Sequence, residues 1–270
     1  MSLVSVGDNV ADYYHAKEKY YPGGSAYNVS VLSRRMGVKS AYLGTFGTDN
    51  SANFLIDFLK KEKVDISHIT VKEGANAFSE VKTIAGKSEI VKVDKGVYKN
   101  FSLEEKDLKF IEGFDYLHTT LYSYTEKYLS LFQKFGLNVS FDYSFTRDKK
   151  YIRKTAPYVD IAFFSAEGED KDKLKDLMSS IYKLGPQYVI FTLGKDGVIA
   201  LYNEKFYNQK APNVNIVDTL GAGDAFISKF LCSIIDKNFI KEDEIKNILK
   251  RSVNFASETC THYGTVKLDK

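Results

Sequence analysis

Val217-Asp218-Thr219-Leu220-Gly221-Ala222-Gly223-Asp224-Ala225-Phe226 is the stretch on which the reading of this chain turns. Two glycines separated by one small residue let the backbone turn tightly into the start of a helix. The N–H groups of Gly221, Ala222 and Gly223 then converge on one point, where the helix adds about half a positive charge. Together they suit an anion hole for a phosphoryl group. Phe226, Phe230 and Ile234 share one face of the helix behind the loop and anchor it to a core. Asp224 falls in the first turn, where the helix dipole favours its ionised form. A carboxylate there is poorly placed to bind phosphate and well placed to accept a proton from a hydroxyl. Phosphoryl transfer asks a protein mainly for positioning and charge stabilisation, and a nearby base completes the set.

Taken alone, a Gly-x-Gly is also what an ordinary loop feeding a helix contains, so the surroundings matter. The dinucleotide fingerprint GxGxxG fails, because Phe226 stands where its third glycine belongs and the motif would sit on the first strand. This disfavours a nicotinamide-dependent oxidoreductase. The P-loop pattern GxxxxGK[ST] and the catalytic loop of protein kinases are absent.

Working outward, strand-like runs alternate with amphipathic helices. Leu3 to Val6 reads as a strand ending at Gly7-Asp8; Met1 and Ser2 are given no role in the fold. Gly23-Gly24 opens a helix with Val29, Leu32 and Met36 at i, i+3 and i+7, closed by Gly37. Ala41 to Gly44 is a short strand, and Asp49 caps a helix running to about Glu62. Later strands are expected at Tyr116–His118, Val139–Phe141, Ile161–Phe164 and Tyr188–Leu193, with Gly197–Tyr202 as an antiparallel partner. Helices are expected from Thr125, over about Asp170–Leu184, from Gly221 to about Ile235, and from about Asp243 to His262. This is the pattern of an α/β protein with a mostly parallel central sheet covered on both faces. Ligands of such sheets bind beyond the carboxyl ends of the strands, where these motifs fall. From Ile69 to Val93 three short runs alternate with a period near two instead, with a turn at Ala85-Gly86-Lys87-Ser88, so a β-rich insertion interrupts the alternation.

A second polar cluster lies near the N-terminus, in Gly7-Asp8-Asn9-Val10-Ala11-Asp12 and Gly23-Gly24-Ser25-Ala26-Tyr27-Asn28. A polyol is recognised by short side chains offering several donors or acceptors. Asp12 and Asn28 suit this, as do Asp8 and Asn9, and Gly23-Gly24 allows close backbone approach. The same residues also suit a cap-and-turn cluster.

Asp218-Thr219-Leu220-Gly221-Ala222-Gly223-Asp224 resembles the C-terminal signature of the ribokinase-like (PfkB) carbohydrate kinases, and the resemblance runs from Leu3 to about Val266. It implies a three-layer ribokinase-like sandwich, a single domain over 1–270, with a β lid contributed by about 9–22 and 68–96. It implies ATP with magnesium as phosphoryl donor, Asp224 as catalytic base, and Gly221, Ala222 and Gly223 as the anion hole. Asp12 matches the family's sugar-gripping aspartate, and Gly23, Gly24 and Asn28 match its glycine pair and asparagine. Thr192-Leu193-Gly194 resembles the nucleotide-binding turn, with Asp218, Thr219 and Gly221 also on that side. Asn254 and Gly264 take adenine-side and monovalent-cation-side positions, the cation being one such as potassium. Glu169 matches the glutamate of an Asn-x-x-Glu motif that organises magnesium and phosphate, but Ala166 replaces its asparagine. The run Gly7-Asp8-Asn9, the segment Ser140-Phe141-Asp142-Tyr143-Ser144, the segment Ser165–Asp170 and the short length are most similar to the fructoselysine 6-kinases. That similarity implies a glycated amino acid as acceptor, its 6-hydroxyl as the site of phosphorylation, and Asp142 as a substrate contact. A lid edge implies a homodimer through the lid. The fold does not fix the acceptor, so a nucleoside kinase of the same fold and a non-catalytic sugar or nucleotide sensor stay open.

Charge speaks against other partners. The chain has 38 basic and 35 acidic residues, interspersed, so no basic face for nucleic acid is expected. No apolar run is long enough to span a bilayer, and no charged segment followed by an apolar one opens the sequence, so no membrane partner and a cytoplasmic location are expected. Cys232 and Cys260 lie far apart and read as buried hydrophobes. The four histidines lack metal-ligand spacing, and His118 is the one placed to reach a substrate.

Overall fold

The computed structural model describes residues 1–84, 87–237 and 240–268, without the side chains of 83–87. The chain opens with β1 (Ser2–Val6), whose five residues are all buried, as a strand covered on both faces requires. Ser2 belongs to it, contrary to expectation: its N–H and its hydroxyl both donate to Asp115. Then follow β2 (Val10–Tyr14), β3 (Lys19–Gly23), α1 (Ser25–Arg35), β4 (Lys39–Leu43), β5 (Thr45–Phe46) and α2 (Asn50–Lys61). Asp49 caps α2 by accepting from Ala52 N–H, as its position predicts. The insertion gives β6 (Thr70–Val71), β7 (Phe78–Ile84) and β8 (Lys87–Asp94). The expected turn at Ala85-Gly86 lies outside the described residues. Next come α3 (Glu105–Ile111), β9 (Tyr116–Thr120), α4 (Leu129–Lys134), β10 (Asn138–Asp142), α5 (Lys149–Thr155), β11 (Ile161–Ser165) and α6 (Lys171–Tyr182). The last elements are β12 (Tyr188–Thr192), β13 (Val198–Tyr202), β14 (Lys205–Gln209), α7 (Ala222–Ile234) and α8 (Glu242–Thr259). Among the described residues no helix is long and apolar enough to cross a membrane.

The large sheet runs β14-β13-β12-β11-β10-β9-β1-β4. All neighbours from β12 to β4 are parallel, and β13 and β14 close one edge antiparallel. Successive side chains of these strands enter opposite cores. Val4, Leu117, Phe141, Phe164 and Phe191 pack under α3 to α6. Leu3, Tyr116, Phe163 and Ile190 pack under α7 and α8. This is the three-layer ribokinase-like sandwich.

A second, four-stranded sheet runs β3-β2-β7-β8. It draws on both segments assigned to the lid, with one difference. The first alternating run of the insertion, β6, instead pairs parallel with β5 in a separate two-stranded piece. Edge strand β8 exposes Ile90, Val91 and Val93, each about half accessible at 47%, 46% and 56%.

Candidate active site

Helices α1 and α7 lie side by side, and α1 packs on β1 and β9 with its N-terminus beside Asp8 and Thr120 at their carboxyl ends. The α7 end is shaped by Gly221, at φ 76°; a Cβ there would lie 1.6 Å from Thr265 Oγ1 and demand a left-handed conformation, so glycine is required. Among the described residues, the N–H groups of Gly221, Gly223 and Asp224 have no protein acceptor. Ala222 differs from expectation, because its N–H turns back to Thr219 O at 3.3 Å. Among the described residues, the amides left available to a ligand here are therefore those of Gly221, Gly223 and Asp224. Gly223 faces open space.

The Asp224 carboxylate accepts Asn28 Nδ2 at 2.7 Å, a link from α7 to α1. The helix dipole alone would keep this group strongly acidic. Burial dominates instead and pushes it up to about 6, against the downward pull of Asn28. That value leaves Asp224 largely ionised near neutrality yet basic enough to take a proton. The same Asn28 amide donates to Thr265 Oγ1 at 3.1 Å, while its Oδ1 is buried without a donor.

Asp12 stands on β2, its Oδ1 held by Ser79 Oγ of β7 at 2.6 Å. Its Oδ2 lies over Gly23, where a Cβ would sit 2.0 Å away, so this glycine makes the space the carboxylate fills. Gly24, at φ 93°, then starts α1 against the backbone of Asp8 and Asn9. Burial, with repulsion from Asp224 among the smaller causes, pushes Asp12 up to about 7. Asp142, at the end of β10, accepts Ser144 N–H at 2.8 Å. Burial raises it to about 7 as well, with Asp224 and Asp8 adding repulsion. None of Asp8, Asp12, Asp142 and Asp224 forms an ion pair among the described residues. The cluster thus offers acceptors in excess and lacks basic side chains to balance them.

Asp8 and Asn9 sit elsewhere than a sugar contact would. Asp8 accepts the N–H groups of Ser25 at 2.7 Å and Ala26 at 3.3 Å, with the Thr120 and Ser123 hydroxyls at 3.1 and 3.2 Å. It caps α1 from 17 residues away, so the cap reading of the cluster describes Asp8. Asn9 is fully buried and uses every polar atom internally, donating to Tyr42 Oη and Thr45 O and accepting from Asn76 Nδ2. Both hold the site's frame. His118 also departs from expectation: it lies within β9, fully buried, beside Ser140 Oγ at 2.9 Å, and burial lowers its pKa to about 3.

On the nucleotide side, Thr192 ends β12 and its hydroxyl donates to Phe164 O at 3.3 Å. Gly194 turns at φ 57° beneath the side chain of Glu167. Thr219 is half-buried in the loop before Gly221, and Asn254 is exposed on α8. Asp218 is buried and saturated: it accepts Tyr14 Oη at 2.6 Å, Gly264 N–H at 2.8 Å and Leu220 N–H at 2.9 Å. A monovalent cation beside this carboxylate would meet three hydrogen-bond donors, so these residues do not fit one there.

Glu169, by contrast, is exposed and lies in a surface ion pair. Arg147 holds both its oxygens, at 2.6 and 3.4 Å, and also donates to Ser165 O. Ala166 is buried beside it, and among the described residues no group of three or more His, Cys, Asp or Glu could hold a metal without the nucleotide's phosphates. Arg147, Tyr14, Ser79 and Thr265 escaped the sequence reading, because each enters from a loop or a strand distant from the motifs it serves.

This geometry agrees with the comparisons. The chain belongs to the pfkB family of carbohydrate kinases, whose model matches residues 2–270. It is 38% identical over 269 residues to the fructosamine kinase FrlD of Bacillus subtilis, covering 98% of this chain and 92% of the relative. It is 33% identical over 231 residues to the fructoselysine 6-kinase of Escherichia coli, covering 86% and 88%. The fold matches that of an Arabidopsis thaliana ribokinase solved with ribose and ATP, with a TM-score of 0.82 at 18% identity over 97% of this chain and 93% of that one. The protein is an ATP-dependent carbohydrate kinase.

Proposed function

We propose that this kinase phosphorylates the sugar 6-hydroxyl of a glycated amino acid of the fructoselysine type, with Asp224 as general base. The observation that carries this reading is the pairing of Asp224 with three amides lacking protein acceptors at the start of α7. In the reaction, Asp224 takes the acceptor's hydroxyl proton as that oxygen bonds to the γ-phosphorus. The bond from the γ-phosphorus to the β,γ-bridging oxygen breaks, and ADP leaves. The amides of Gly221, Gly223 and Asp224 stabilise the charge on the transferring group. Asp12, through Oδ2, Asn28, through Oδ1, and Asp142 accept the sugar's hydroxyls.

Two features favour a glycated amine over a plain sugar. First, the similarity to a fructosamine kinase and a fructoselysine kinase extends over most of the chain. Second, the carboxylate cluster has no basic partner, and the secondary ammonium of such an adduct supplies the missing positive charge. Thr192, Gly194, Thr219 and Asn254 lie toward the nucleotide in this reading, with Asp218 supporting the loop rather than touching it. Because Glu169 is paired with Arg147, the reading assigns no step to a protein-held magnesium ion. The apolar edge of β8 meets its counterpart in a second copy.

The test is ADP release from MgATP across fructoselysine, other glycated amino acids, fructose, ribose and nucleosides, with the product's phosphorylated carbon assigned by NMR. Turnover of fructoselysine well above the neutral sugars supports the assignment. Fast turnover of a neutral hexose, pentose or nucleoside with none of fructoselysine overturns it.

A further inference from the structure

Strand β2 carries Asp12 and Tyr14 two residues apart, so both side chains stand on one face of the small sheet. Asp12 reaches the acceptor side. Tyr14 reaches the phosphate side, where its hydroxyl donates to Asp218 Oδ2 at 2.6 Å, with both residues 1% accessible. Asp218 Oδ1 in turn holds Leu220 N–H, the residue immediately before the left-handed Gly221. Asp218 Oδ2 also holds Gly264 N–H, the start of the C-terminal turn whose Thr265 hydroxyl fills the space beside Gly221 and accepts from Asn28. The Tyr14 ring packs edge-on against Tyr21 of β3 at 4.9 Å and Tyr263 at 5.8 Å. One buried carboxylate thus ties three segments together: a strand of the small sheet, the anion-hole loop and the C-terminal turn.

We propose that Tyr14 is a positioning residue that couples occupancy of the acceptor site to the arrangement of the anion hole. An acceptor bound by Asp12 fixes β2, β2 fixes the Tyr14 hydroxyl on Asp218, and Asp218 fixes the backbone leading into Gly221. With the acceptor site empty, β2 keeps its pairing with β3 and β7 but loses the tie through the acceptor, the Tyr14 hydroxyl is held less firmly on Asp218, and the amides lose their common aim. The link gives the enzyme a means of withholding phosphoryl transfer to water until a sugar is present. The inference rests on the roles of Asp12 and the Gly221 loop proposed above, but not on which sugar is bound.

The experiment is calorimetric titration of a non-hydrolysable ATP analogue with and without acceptor, in wild type and Tyr14→Phe. Fructoselysine is the probe, or fructose if that is the sugar turned over in the acceptor panel, so failure of the substrate assignment does not stop the measurement. In wild type, acceptor is expected to tighten analogue binding about tenfold, and in Tyr14→Phe this factor falls to near one. Acceptor affinity without nucleotide changes less than about threefold, and acceptor-independent ATP hydrolysis rises relative to transfer. Asp218→Asn provides a second route, with the same loss of coupling. Retained coupling in Tyr14→Phe, or equal loss of both affinities as a purely structural role would give, overturns the proposal.

Discussion

Removing the Asn28 amide should move the pH dependence of the reaction, and the structure sets by how much. Asn28 Nδ2 donates to Asp224 at 2.7 Å, and this hydrogen bond holds down a carboxyl that burial has raised to about 6. A hydrogen bond to a charged group contributes about 1.5–3 kcal/mol. At roughly 1.4 kcal/mol per pKa unit, its loss in Asn28→Ala raises Asp224 by about one to two units. The sign follows from the role. A base must be ionised, so activity falls as pH drops through its pKa, and the acid limb of the kcat/KM profile moves from near 6 to about 7–8. At pH 6.5 the ionised fraction then falls about eightfold for a 1.5-unit shift, whereas at pH 9 both enzymes are fully ionised. The assay is ADP release at acceptor concentrations well below KM from pH 5 to 9. Loss of a sugar contact through Asn28 Oδ1 lowers the plateau without moving the limb. A limb that stays at its wild-type pH would refute the reasoning, because Asp224 would not then be the titrating base.

Three further outcomes follow from the same geometry. Gly23→Ala places a Cβ 2.0 Å from Asp12 Oδ2, so the acceptor KM should rise at least about tenfold with the ATP KM little changed; steady-state kinetics in both substrates checks this. Glu169→Gln weakens only the pair with Arg147, so kcat should fall less than about tenfold, and a loss of several orders of magnitude would mark Glu169 as a metal ligand after all. Val93→Lys places a charge on the exposed β8 edge, and on the homodimer proposed above sedimentation should show a shift from dimer to monomer, with no shift refuting that edge as the contact.

The parallel core was legible because each of its strands is a short apolar run between glycine or acidic punctuation, and because Asp49 and Asp170 announce their helices locally. Short helices such as α3 and α5, at seven residues, show too few turns for a clear period. The glycine loop and the helix it opens were legible because they sit within one seven-residue stretch. What was not legible depends on contacts far apart in the chain. Asp8 looked like a sugar contact until its donors proved to be Ser25, Ala26, Thr120 and Ser123. Asp218 looked like a nucleotide contact until Tyr14, some 204 residues away, proved to hold it. The dipole argument for Asp224 favours its ionised form, but burial raises its pKa, and burial is a property of the folded chain.

The measurement that tests the central claim most directly is Asp224→Asn against wild type, with acceptor and nucleotide binding followed by calorimetry and turnover by ADP release. Loss of turnover by several orders of magnitude, with both ligands still bound within about tenfold of wild type, is the predicted result. Turnover within about tenfold of wild type would contradict it and leave the proton without the acceptor proposed here.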